Sequence, residues 1–75
     1  MSPEDVRRIS AIRMAAASGE ARAKRQELRL TLKEMAAAVG VSTSTVHGWE
    51  RGHCAPRGAN AIRWAKALGI KTKAS

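Results

Sequence analysis

Seventy-five residues make one small domain and leave no room for a second core. Fourteen Lys and Arg against six Asp and Glu give a formal charge of +8, which points to a polyanionic partner. The chain has neither Phe nor Tyr and a single cysteine, Cys54, so the core must be aliphatic and alanine-rich and no intramolecular disulfide can form.

Ser2-Pro3-Glu4-Asp5 reads as a helix start: Ser2 as cap, Pro3 at the first helical position, acids in the first turn. That helix is expected to run to about Ser18, with Val6, Ile9, Ile12 and Ala16 as a partial apolar stripe. Ser18-Gly19 either ends it, with Ser18 capping the next helix, or one long helix passes through Gly19 at a cost of about 1 kcal/mol. Residues 20–29 form a helix with Ala21 and Leu28 inward and Lys24 and Arg25 between them, and Leu30 closes the corner.

Leu32, Met35, Ala36 and Val39 then fall at i, i+3, i+4 and i+7, one face of a helix. Thr31 before the run and Glu34 three residues on make a capping box, and Gly40 supplies a left-handed stop. Val41 plugs the turn. Ser42 caps a further helix that carries Val46 and Trp49 inward and ends at Gly52. Thr43, Ser44, His47 and Gly48 are expected outward, with Thr45 between the faces. Two short helices joined this tightly cross steeply and leave one face of the second free. That is a helix-turn-helix, whose free face fits a DNA major groove.

His53–Pro56 reads as a loop, and a last helix from Arg57 or Gly58 to Leu68 turns Ala61, Ile62, Ala65 and Leu68 inward before Gly69. Residues 71–75 read as a frayed basic tail. No period-two run marks a strand. The expected fold is all-α, a compact bundle of four to five short helices, with an extra N-terminal helix at 1–18 and the helix-turn-helix domain at 19–70.

The string TLKEMAAAVGVSTSTVHGWERG (Thr31–Gly52), with WAKALG (Trp64–Gly69) downstream, resembles the Xre/Cro-type, phage-repressor-like helix-turn-helix family over roughly residues 20–70. The resemblance implies double-stranded DNA as partner and places Thr43, Ser44, His47 and Gly48 at base-facing positions. Thr offers a hydroxyl and a methyl for thymine, Ser a hydroxyl for any base or a phosphate, His a donor or acceptor for guanine. Gly48 either lets the backbone approach the duplex or marks a position that needs little. Phosphate contacts are expected from Thr31, Lys33, Ser42, Thr45, Lys24, Arg51, His53 and Arg57. The family pattern also pairs Arg25 with Glu50 as scaffold and puts Trp49 in the core.

Two departures from the family stand out. Leu32 replaces a glutamine that contacts phosphate in relatives, which moves the clamp to Lys33, the Thr31 hydroxyl or the helix N-terminus. The chain also ends six residues beyond Gly69, where relatives add a helix. The N-terminal helix either takes over that packing role or serves another partner.

His47, His53 and Cys54 do not have zinc spacing, and no catalytic constellation occurs. The expectation is therefore no metal, no cofactor and no enzyme. No apolar run spans a bilayer and no signal-peptide core opens the chain, so a cytoplasmic, nucleoid-bound protein is expected. The function expected is a sequence-specific DNA-binding regulator or repressor. It is expected to act as a homodimer on DNA, paired through the last helix near Trp64 and the N-terminal helix at Val6 and Ile9, where Trp64 is either core edge or a partly exposed anchor. The alternative is an antitoxin-like or adaptor module that binds a protein through the N-terminal helix or Trp64. A third reading is a charge-only nucleic-acid binder.

Overall fold

Local capping accounts for every helix start but two. In the computed structural model, which describes residues 2–70, the helices are α1 Pro3–Ser18, α2 Glu20–Glu27, α3 Leu32–Val39, α4 Thr43–Arg51 and α5 Gly58–Leu68, with no strand among the described residues. Ser2 Oγ accepts the Asp5 amide, Thr31 and Glu34 close a reciprocal capping box, and Ser42 Oγ accepts the Thr45 amide. Of the two expectations at Ser18-Gly19, the break is the one observed: Gly19 at φ 85° both ends α1 and precedes α2. Gly19 rather than Ser18 is the N-cap residue of α2, although Ser18 Oγ does accept the Glu20 amide. Residues 71–75, expected as a tail, lie outside the described residues.

One core runs through all five helices. It is built from Ile9, Ile12, Ala15 and Ala16 of α1, Ala21 of α2, Met35, Ala36 and Val39 of α3, Val46 and Trp49 of α4, and Ala61, Trp64, Ala65 and Leu68 of α5. α1 lies mainly on α5 and also touches α2 and α4, while α3 packs on α4 and on α5. The alanines of α1 and α5 take up little of the core, which leaves room for the two indoles. The rings of Trp49 and Trp64 meet at a centroid distance of 4.8 Å and a tilt of 37°. Trp64 is fully buried, and its Nε1–H has no acceptor among the described residues.

Three sequence expectations change here. Trp64 is not an exposed anchor: the small residues around it leave space inside the bundle, and α1 covers the ring's side of α5. Ile9 has its intrachain partners in the core rather than lacking them. Leu28, expected inward, is 49% exposed because α2 stops at Glu27. Arg29 then turns at φ 56° and sends Leu30, not Leu28, against the core.

Two arginines tie the frame together across long sequence separations. Arg63 Nε donates to the Val39 carbonyl at 2.9 Å, satisfying a carbonyl at the C-terminus of α3. Its other end donates to Asn60 Oδ1. Arg13 Nε on α1 donates to the Pro56 carbonyl at 3.1 Å and so pins the loop after α4.

Candidate nucleic-acid interface

The α3–turn–α4 unit follows from its punctuation. Gly40 at φ 86° terminates α3, and the Val41 amide bonds back to the Ala36 carbonyl at 3.0 Å. Ser42 starts α4 one residue later. Val46 and Trp49 enter the core, and the opposite side of α4 carries Thr43, Ser44, His47 and Arg51, all exposed. Ser42 Oγ and Thr45 Oγ1 lie 2.8 Å apart and engage each other, with Thr45 half-buried. Among the described residues the hydroxyls of Thr43 and Ser44 have no such partner, so they are free for a ligand.

Gly48 does not join that face. It is buried, and a Cβ built on it would sit 3.1 Å from Cys54 Sγ. The loop after α4 folds back, with the His53 amide on the Gly48 carbonyl at 2.9 Å, and lays Cys54 over the glycine. Gly48 is small because the loop needs the space, so the expectation of an outward, base-facing Gly48 is withdrawn. The sequence reading put it outward beside His47, and the loop's return covers it.

The sole acid of α4 is neutralised from within. Arg25 on α2 grips Glu50 with two bonds, Nε to Oε2 at 2.7 Å and Nη2 to Oε1 at 3.1 Å, and donates from Nη1 to the Leu30 carbonyl at 2.9 Å. The side chains are 10% and 2% exposed. The hydrogen bond to Glu50 raises the Arg25 pKa against the opposing pull of desolvation. Arg25 and Glu50 are thus brought together as the family pattern implied, and α4 presents no free carboxylate.

Lys33, Arg51 and Arg57 are exposed and make no ion pair among the described residues, His53 is exposed in the loop after α4, and Lys24 is half-buried. Arg57 is the N-cap residue of α5 and forms no side-chain cap, which leaves the first amides of α5 open at the positive end of the helix. The Thr31 hydroxyl oxygen accepts the Glu34 amide, and the Glu34 carboxylate accepts the Thr31 amide. The Thr31 amide, then its hydroxyl, holds the Glu34 carboxyl below its ordinary pKa. Among the described residues no helix is long and apolar enough to cross a membrane.

The structural roles of Arg63 and Arg13 were not legible in sequence. Arg63 reads as a solvated basic residue, and nothing local says that its acceptor lies 24 residues back. The one available signal is that a helix C-terminus must find donors for its last carbonyls.

A family model described as helix-turn-helix matches residues 22–73, the segment that contains α3, its turn and α4. The chain belongs to the helix-turn-helix family. Its relatives are of the Xre and lambda-repressor type, and membership makes this a DNA-binding protein. No curated protein and no solved structure matches the chain. α1 lies wholly outside the matched segment, yet it supplies four of the fourteen core positions.

Proposed function

We propose that this helix-turn-helix protein is a transcriptional regulator that recognises a specific double-stranded DNA sequence by inserting α4 in the major groove. The observation that carries this is the composition of the exposed side of α4: two free hydroxyls and an imidazole, no free acid, and the unpaired Arg51 at its end. Thr43, Ser44 and His47 read base edges. Lys33, Arg51, His53 and Arg57 contact phosphates, with Lys24 and the hydroxyls of Thr31, Ser42 and Thr45 as shorter-range contributors, and the open amides of α5 add the field of a helix N-terminus beside Arg57.

None of the three readers makes the bidentate pairing that gives strong discrimination, and one helix covers only about four or five base pairs. A homodimer on two half-sites about one helical turn apart supplies the missing specificity. The protein works in the cytoplasm, on the nucleoid. An adaptor role, in which a protein partner is the main ligand, draws support from the exposed Val6 and Met14 of α1.

Selection from a random duplex pool at fixed salt tests the proposal. A regulator enriches one symmetric sequence, and Thr43→Ala or Ser44→Ala then weakens it by about 1–3 kcal/mol per lost contact with little effect on random duplex. A pool that stays random would overturn sequence-specific recognition and leave charge-only binding or the adaptor.

A further inference from the structure

α1 has a second face. Opposite the buried side, Pro3, Val6, Ser10, Met14 and Ala17 form a continuous uncharged stripe, and all five are exposed. Val6 is 54% and Met14 70% exposed, two of the three large exposed hydrophobic side chains among the described residues. In a chain of +8 charge, with Arg7 and Arg13 on either flank, such a stripe is not a solvated face by default.

Its spacing is symmetric. The intervals are three, four, four and three residues about Ser10, and the sizes alternate small, large, small, large, small. A two-fold axis at Ser10 that pairs α1 with an antiparallel copy sets Val6 against the partner's Met14 and Pro3 against the partner's Ala17, and brings the two Ser10 residues together. A two-fold interface requires this reciprocity, in which residue i meets j and j meets i. A foreign partner needs an apolar stripe but imposes no symmetry on it.

We infer that the outer face of α1 is the surface through which two copies of this chain pair, antiparallel and centred on Ser10. This rests on the homodimer reading above and replaces the surface expected near Trp64, which is closed. A sixteen-residue helix is about 24 Å long, so a strip about 10 Å wide covers roughly 240 Å² per copy. That gives roughly 500 Å² in total, well under the roughly 1,200 Å² at which stable complexes begin. The pairing also brings Arg7 near the partner's Arg13. The free chain is therefore monomeric when dilute. It pairs at high concentration or when two copies are held on one duplex, and added salt strengthens pairing by screening the arginines.

Cross-linking of the full chain tests this in a Cys54→Ser background. Helix axes 8–10 Å apart, with Cα atoms about 2.3 Å from each axis, leave roughly 3.4–5.4 Å between facing Ser10 Cα atoms. A disulfide spans about that distance. Ser10→Cys should form a covalent dimer under mild oxidation at least about tenfold faster than Leu28→Cys, a control that is also exposed and lies at the end of α2. Adding Met14→Asp should return the Ser10→Cys rate to the control level while the melting temperature falls by no more than about 5 °C, because Met14 lies outside the core and only helix propensity is lost. Equal rates for Ser10→Cys and Leu28→Cys, or a Ser10→Cys rate indifferent to Met14→Asp, would overturn the inference. Retardation of a random duplex pool by the Cys54→Ser parent is scored separately. Cross-linking without DNA binding defeats the DNA reading alone, and DNA binding without cross-linking defeats this surface alone.

Discussion

Arg25→Met should be the most damaging single change that touches no DNA-facing residue. It strands the Glu50 carboxylate, 2% exposed, without either of its two guanidinium bonds, and frees the Leu30 carbonyl. Breaking one side of a buried ion pair costs about 3–5 kcal/mol. A chain of 75 residues has a total stability of only about 4–11 kcal/mol. At about 4–8 °C per kcal/mol for a domain of this size, the melting temperature should fall by roughly 12–40 °C. The pair's net worth is a separate quantity. Replacing both partners with apolar residues of similar volume is often close to neutral, so Arg25→Met with Glu50→Leu should recover most of the loss. Urea unfolding of the parent, both single variants and the double variant closes the cycle and yields the coupling directly. An Arg25→Met protein that melts within about 3 °C of the parent while losing duplex binding would refute the scaffold assignment, since such a shift is under 1 kcal/mol, and would make Arg25 a phosphate contact.

Three further outcomes are expected. Lys33→Ala and Arg57→Ala should each lower the slope of log affinity against log salt by about one unit on any sequence; unchanged slopes for both would move the clamp to Arg51 and Lys24. Gly48→Ala alone should be close to neutral, because about 0.8–1 kcal/mol of helix propensity is offset by the approach to Cys54 Sγ at 3.1 Å, whereas in a Cys54→Ala background the gain should appear in full; additive behaviour in the thermal cycle would contradict the packing. The Glu34 carboxyl is lowered in the folded state, so its contribution is complete above the ordinary carboxylate range and is lost as pH falls through the folded value. The stability difference between the parent and Glu34→Ala should therefore shrink on acidification, and a difference that is flat from neutral to acid pH would show that the carboxylate of the capping box contributes nothing.

Local chemistry decided the frame of this protein. Ser2, Thr31 and Ser42 start helices, and Gly19, Gly40 and Gly52 stop them, because each acts on backbone groups within four residues of itself. The apolar spacing of Leu32 to Val39 and of Val46 and Trp49 then sets which faces turn inward, and the exposed Thr43, Ser44 and His47 follow from the same arithmetic. The Arg25–Glu50 pair was legible only through the family resemblance, since nothing local links residues 25 apart. Other assignments were settled by elements that meet across the chain. Gly48 sits at the margin of the free face, and the returning loop with Cys54 closes it. Trp64 has small neighbours, which in sequence suit either an exposed ring or a buried one; α1 and Trp49 bury it. Leu28 is left in solvent because α2 ends at Glu27, and the left-handed turn at Arg29 sends Leu30 to the core instead, neither of which hydrophobic spacing registers. Periodicity reports which side of a helix is apolar, while the margins of that side and the long reaches of Arg63 and Arg13 depend on where another helix happens to lie, a distance in space that no spacing along the chain encodes.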